Sequence, residues 1–450
     1  MSRHLGNEST AEEPSCDTSV EASLAQEPRN FAMLAVFQIL TRVGWIFKTE
    51  TIIVPAVLDI LGGSAWLRGC LPMLNRLGLS IPPVLMARRV NVARRKKYGL
   101  FLFTLGMAAA ILLLASMWWI PSVASASTDW QSATSWAPAM FLTLYGTFFA
   151  CTGLHQLIYQ TLQGKLVHTT RRGRLLGFSN LMGSIAAIAA AWWLLPGWLG
   201  AHPPRVDAIF GFAGICFIGA AVSSLMLAER ADDYDEPSEG LKQKLAASFS
   251  AVRENRNFRR LCLAAMLSGS SIILFPHYQA LGRERLHLDF ADLVLWVVVQ
   301  NIGTAAFSLL AGSIADWRGN RVVLRLSLLL IVLLPLAALA LAHGGELGRS
   351  YFFLVFAFLG LTPVTLRLLN NYTLEICPPS DHPRFLSTLN LCQAGPAFLA
   401  PGVGAAIDAT SLETVFLGVA AVNAVGWLLT LRLDEPRLHH RSDAFPNTSE

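Results

Sequence analysis

Polar residues in this chain fall mainly in short clusters, and between them lie apolar runs far longer than the alternation of a half-buried strand or the three-and-four spacing of a surface helix. A helix rises about 1.5 Å per residue, so about 20 apolar residues cross the roughly 30 Å hydrocarbon core of a bilayer. Twelve runs reach that length, at residues 31–60, 64–87, 98–120, 136–163, 176–197, 207–229, 259–283, 288–313, 321–343, 350–374, 383–408 and 412–432, which we number spans one to twelve. The longest internal hydrophilic stretch runs from Glu229 to about Arg260, with an acidic run (Asp232, Asp233, Asp235, Glu236) before a basic segment. It divides the chain into six spans plus six. The expected domains are a polar tail at 1–30, a bundle at 31–229, a central loop at 230–258, a second bundle at 259–432 and a tail at 433–450. The first tail is polar and acidic, unlike the basic start of a cleavable signal peptide, and reads as a disordered extension.

Composition narrows the class. The 450 residues are 53% hydrophobic and only 14% charged, with mean hydropathy +0.47, whereas an ordinary soluble domain carries about 25% charged residues. Most of this surface therefore cannot face water, which excludes a soluble enzyme, a disordered chain and a small disulfide scaffold. The seven cysteines form no CxxC pair and most sit in apolar runs, so neither a disulfide framework nor a metal site is expected. The net charge of +5 matters through its placement. Twenty-four Lys and Arg fall in loops on one side of the spans, including Arg88, Arg89, Arg94–Lys97, Arg171, Arg172 and Arg174, against four on the other (Arg205, Arg283, Arg285, Arg349). The positive-inside rule then puts both termini in the cytoplasm. Arginine outnumbers lysine 29 to 6, as a GC-rich bacterial genome would produce, which points to a bacterial cytoplasmic membrane.

A repeat is visible in places. Sliding the chain by 210 positions lays Lys165–Asn180 on Glu375–Asn390, with Arg174 on Arg384 and Asn180 on Asn390, and a slide of 228 aligns the earlier loops. Between spans eight and nine the chain reads Gly312-Ser313-Ile314-Ala315-Asp316-Trp317-Arg318-Gly319-Asn320-Arg321. This resembles the G-x-x-x-D-x-x-G-[RN]-[RK] loop of the major facilitator superfamily, at the place of that family's second copy. The resemblance, over about residues 30–433, implies an all-α polytopic membrane protein whose twelve transmembrane helices form two pseudo-symmetric six-helix bundles. It also implies that Gly312, Asp316, Gly319 and Arg321 belong to a gate, with Asp316 capping the positive start of span five near Arg174 and Leu176. The first copy departs from the pattern: under the slide of 228, Asp316 falls on Arg88. An exchanged polarity is expected there, with Arg88 pairing to Asp381 before span eleven.

Ionisable groups in a span cost roughly 2.5–3.5 kcal/mol each on insertion scales, so they are candidate functional groups. Span one carries Arg42, Lys48 and Glu50. At about 100° per residue Lys48 and Glu50 diverge by about 200°, so each should find a partner elsewhere. Arg68 of span two is the expected partner of Glu50, with Arg76 deeper, near the level of Lys48 and Arg42. Span four offers His155-Gln156 and Tyr159-Gln160, followed by Gln163, in a four-residue rhythm, and span seven offers Pro276-His277-Tyr278, which a slide of 228 lays on Lys48-Thr49-Glu50. Span ten offers Arg367, Asn370 and Asn371 below a proline kink at Pro363. The resemblance puts spans one, four, seven and ten around a central cavity. Five bases against one deep acid, Glu50, favour an anionic solute, because arginine grips carboxylate or phosphate with two hydrogen bonds.

The expected function is secondary transport of a small solute by alternating access, coupled to protons or another ion, with Glu50 as the proton-coupling candidate. A non-transporting membrane sensor or assembly partner on the same fold is the alternative. No G-x-x-x-x-G-K-[ST], HExxH or G-x-S-x-G occurs, which argues against ATP drive and enzymatic chemistry. The expected partners are lipid and solute, with no nucleic acid, no cofactor and a monomeric state.

Overall fold

A computed structural model describes residues 16–120, 136–231, 250–253, 255–378 and 381–435. Most of the two tails, the loop at 121–135 and the acidic run at 232–236 lie outside them. Every regular element among the described residues is a helix. Ten helices are long and apolar enough to cross a bilayer, and they coincide with spans two to ten and span twelve. The positions of spans one and eleven hold broken helices: Cys16–Ile46 with Ile53–Ile60, and His382–Ala394 with Ala400–Ala409.

The breaks have a common cause. A proline lacks the N–H that would bond the carbonyl four residues back, and its ring crowds that carbonyl. Pro55, Pro276, Pro363 and Pro396 lie within or just beyond the interruptions of spans one, seven, ten and eleven. These interruptions are the gap between Ile46 and Ile53, the tight turn Ser270–Leu274, the junction of Phe353–Leu359 with Leu361–Ile376, and the tight turn Gly395–Leu399. In span ten the bend therefore falls at Gly360, before the proline. Gly360 also lets span eight approach, since a Cβ there would sit 2.6 Å from the Gln300 carbonyl oxygen.

The apolar core shows how the halves meet. One cluster joins them away from the termini: Leu58, Leu71 and Phe210 of the first half pack with Leu274, Phe352 and Phe416 of the second. Towards the end where both described termini lie, the core separates. Leu34, Phe37, Leu162 and Ala220 form one cluster from the first half alone, and Phe258, Leu324, Leu368 and Phe385 another from the second. The exposed Leu309, Leu310 and Trp317 of span eight and the exposed Leu176, Phe178 and Leu181 of span five lie towards that terminal end.

Each half is tied internally at the terminal end by a carboxylate that follows its last span. Glu229 accepts from the backbone N–H groups of Lys96 (2.9 Å) and Lys97 (2.8 Å) at the start of span three, and from Lys165 Nζ (3.0 Å). Glu435 pairs with Arg321 Nε (2.8 Å) at the start of span nine. The same device in corresponding places expresses the pseudo-symmetry of the two bundles. Gly319, between spans eight and nine, has φ +88°, a conformation that favours glycine.

Candidate functional site

Span one stops being helical at Ile46, and Lys48 and Glu50 lie in the irregular turn that follows. Beyond the last helical residue the 100° rule no longer applies, so the two side chains meet: Lys48 Nζ lies 2.8 Å from Glu50 Oε1. This corrects the expectation that they diverge. The ammonium is fully buried and sits in an aromatic box, 3.2 Å from the centroid of Trp45, 4.4 Å from Phe149 and 4.8 Å from Phe148. An isolated charge so buried would be prohibitive. The carboxylate and the three ring faces together compensate it. Glu50 also accepts a short hydrogen bond from Asn75 of span two. The charge of Arg76 and the phenol of Tyr145 lie within electrostatic reach of it.

Arg68 does not pair with Glu50. Its Nη1 lies 3.0 Å from Asp59 Oδ1 and 3.6 Å from Glu284 Oε1. Asp59 is a second deep acid, absent from the sequence-based charge balance. It bridges the halves at the far end, because Gln279 Nε2 donates to its other oxygen at 2.8 Å and Arg283 Nη1 lies 3.8 Å from it. Asp408 of span eleven reaches back to the start of span two, accepting from Ala65 N (3.0 Å) and Trp66 N (2.9 Å). Asp59, Arg68, Arg283, Glu284 and Asp408 line a cavity of about 250 Å³ at this contact. Further along span one towards its middle, Thr51 donates to Gln300 across the halves at 2.7 Å.

The predicted residues therefore divide among several places instead of converging on one cavity. His155 faces Thr104 Oγ1 (3.0 Å) and stacks on Phe37, which also stacks on Tyr159. Both belong to the packing of the first half, while Gln156 on the neighbouring face is exposed. His277 is fully buried at the contact between the halves, near the charge of Arg68, with neither ring nitrogen hydrogen bonded among the described residues. Tyr278 packs edge-on against Phe416 in the core. Arg42 donates from Nε to Ser184 Oγ of span five at 2.9 Å. Arg367 and Asn371 of span ten are exposed, and Asn370 is partly buried.

The gate motif is also distributed. Gly312 and Asp316 are exposed and Gly319 makes the turn, while Arg321 serves the tie to Glu435. Arg88 is exposed and makes no ion pair with Asp381 among the described residues, contrary to the expected pairing. The start of span five is met by Glu27, whose carboxylate accepts from His168 N at 3.1 Å and lies 3.3 Å from Arg171 Nη1. Among the described residues no group of three His, Cys, Asp or Glu is placed to hold a metal ion.

A family model described as Major Facilitator Superfamily matches residues 95–365 and 273–448. No curated protein matches the chain. Solved structures share the fold at low identity. The nucleoside transporter NupG superposes with TM-score 0.67 at 13% identity, over 90% of this chain and 98% of that one. A bacterial homologue of the iron transporter ferroportin, in an inward-facing state, gives TM-score 0.65 at 14% identity, over 90% and 99%. A bacterial homologue of the human lysosomal transporter Spinster, inward-facing and unoccupied, gives 0.62 at 11%, over 91% and 98%. With the family model covering well over half of the chain, the protein belongs to the Major Facilitator Superfamily and is a multi-pass membrane protein of secondary-transporter type.

Proposed function

We propose that the protein carries a small organic anion across the membrane by alternating access, coupled to protons through Glu50, with both termini cytoplasmic. The carrying observation is the charge left over once the pairs of Lys48 and Arg68 among the described residues are assigned. Lys48 is neutralised by Glu50, and Arg68 by Asp59 and Glu284. Arg42 and Arg367 have no carboxylate partner among the described residues, and Arg76 has only the distant charge of Glu50. Uncompensated bases at membrane depth call for an anion, and the guanidinium fork is suited to one.

On this reading the far end is extracellular and held shut by the Asp59 network, while the terminal end is the open cytoplasmic mouth. A proton on Glu50 would release Lys48 from its pairing and give the anion a further cation, so that proton and solute favour one another's binding. When the mouth closes, Asp316 approaches the start of span five. The proposal is tested in proteoliposomes with labelled organic anions under an imposed pH gradient. Uphill uptake without ATP, lost in Glu50→Gln while exchange persists, is the expected result. Uphill uptake unchanged in that variant would remove Glu50 from coupling, and absence of any anion flux would overturn the transport reading.

A further inference from the structure

The turn between spans two and three has no part in the transport cycle proposed above. Residues 88–97 hold six bases, Arg88, Arg89, Arg94, Arg95, Lys96 and Lys97, and no acid. The carboxylate that reaches this turn, Glu229, is buried and engaged by the backbone N–H groups of Lys96 and Lys97 and by Lys165. Lys97 donates from Nζ to the carbonyls of Leu225 (3.2 Å) and Leu227 (2.9 Å) after the end of span six. Arg88, Arg89 and Arg95 are exposed and make no hydrogen bond or ion pair among the described residues.

Spans two and three both pack on span four, and between them lies a cavity of about 110 Å³, lined by Met86, Arg89 and Val90 of span two, Lys96 and Phe103 of span three, and Ile158 of span four. At about 1.5 Å per residue, Met86 lies about 9 Å in from Val92 at the end of span two, and Phe103 about 10 Å in from Lys96 at the start of span three. The cavity is therefore basic at its shallow end and apolar at its deep end. Leu85 and Leu102, next to the deep lining, are strongly exposed, and Tyr98 is exposed near the shallow end, the distribution of a surface that meets acyl chains at depth and headgroups at the interface. Positive-inside placement accounts for the bases alone; it does not account for an apolar cavity directly beneath them. A soluble anion would satisfy the guanidinium and leave the apolar walls to water, and an uncharged chain would do the reverse. A molecule with a negative headgroup and an apolar chain satisfies both.

We propose that this cavity is a binding site for an anionic phospholipid of the leaflet at the terminal end, with the phosphate held by Arg89 and the neighbouring bases of the turn and one acyl chain lying against Val90, Phe103 and Ile158. The bound lipid ties the end of span two to the start of span three and so stabilises the folded first half. The site is separate from the solute path and stands whether or not the solute is an anion.

The test titrates the full-length protein in a non-ionic detergent with dioleoylphosphatidylglycerol or dioleoylphosphatidylcholine and reads bound lipid by native mass spectrometry. Phosphatidylglycerol is expected to be retained at about tenfold lower concentration than phosphatidylcholine, and an excess of glycerol 3-phosphate, which offers the phosphate without chains, should not displace it. Arg89→Gln should weaken the preference roughly fivefold, whereas Arg259→Gln, an exposed base at the start of span seven on the same side, should leave it unchanged. Gly99→Leu, whose side chain would enter beside Ile158, should lower retention of phosphatidylglycerol, and Met86→Trp fills the same cavity should that variant fail to fold. Equal retention of the two lipids, or an equal loss in Arg89→Gln and Arg259→Gln, would reduce the bases to a general attraction for an anionic surface and overturn the site. Retention unchanged by the cavity-filling variants, or displacement by glycerol 3-phosphate, would overturn the acyl-chain occupant.

Discussion

Replacing Glu50 by glutamine isolates the energetics of the aromatic box, because it removes the charge that faces Lys48 while keeping a similar shape. Lys48 is fully buried, with its partner carboxylate at 2.8 Å. Removing one member of a buried pair typically costs about 3–5 kcal/mol. Here part of the loss is buffered, since the ammonium keeps the ring of Trp45 at 3.2 Å and those of Phe149 and Phe148 at 4.4 and 4.8 Å, and a desolvated cation–π contact contributes about 2 kcal/mol. Glutamine also retains an acceptor oxygen. A net loss of about 2–3 kcal/mol follows. The double variant Lys48→Met, Glu50→Gln removes the stranded charge and fills the box with an apolar chain, so it should fall within about 1 kcal/mol of the parent. Equilibrium unfolding in mixed micelles across the four proteins of this cycle gives the coupling, expected to exceed about 1.5 kcal/mol. A Glu50→Gln loss below about 0.5 kcal/mol, or a double variant equal to the sum of the singles, would refute the reasoning.

Asp59→Asn should weaken the far-end closure by removing the charge shared by Arg68 and Arg283. A cysteine at Thr51, buried between the halves in the parent, should then alkylate several-fold faster from the far-end side, and an unchanged rate would show that the apolar contact alone holds that end. Gly319→Ala, at φ +88°, should cost about 1 kcal/mol or more in micellar unfolding, whereas Gly312→Ala, with open space around its Cβ position, should cost almost nothing. Equal effects would mean that the turn is not the constraint. His277→Leu removes two buried ring nitrogens that have no hydrogen-bond partner among the described residues and should leave stability equal or higher; a clear loss would mean that the imidazole has a bonding role.

The lengths of the apolar runs were enough to locate ten of the twelve expected spans as membrane-length helices, because the bilayer thickness sets a single scale that composition can be read against. The turn at Gly319 was legible because it lies in the family loop. Side-chain pairing was another matter. Helical periodicity failed for Lys48 and Glu50 because it was carried past Ile46, where the helix ends, and Pro55 was the residue that could have warned of it. Asp59 was passed over at the end of an apolar run. Nothing local marks it as bound to Gln279, which is 220 positions away. The box around Lys48 takes Phe148 and Phe149 from span four, where adjacent phenylalanines look like ordinary core. The four-residue rhythm of His155 and Tyr159 was real, but Phe37 takes that face into the packing of the first half. One-dimensional spacing assigns a face, and only the neighbouring helices decide what that face meets.

Alternating access makes one claim above the others: the two ends of the molecule open in opposition. Distances between spin labels measure this directly, with one pair at Gly177→Cys and Ser313→Cys on the terminal-end parts of spans five and eight. A second pair at Trp119→Cys and Leu347→Cys, both strongly exposed, reports the far end. On adding the tightest-binding anion, the terminal-end distance should shorten while the far-end distance lengthens, and Asp59→Asn should lengthen the far-end distance without ligand. Distances fixed at both ends under every anion, in protein that remains folded, would contradict a transporter and favour a static membrane scaffold.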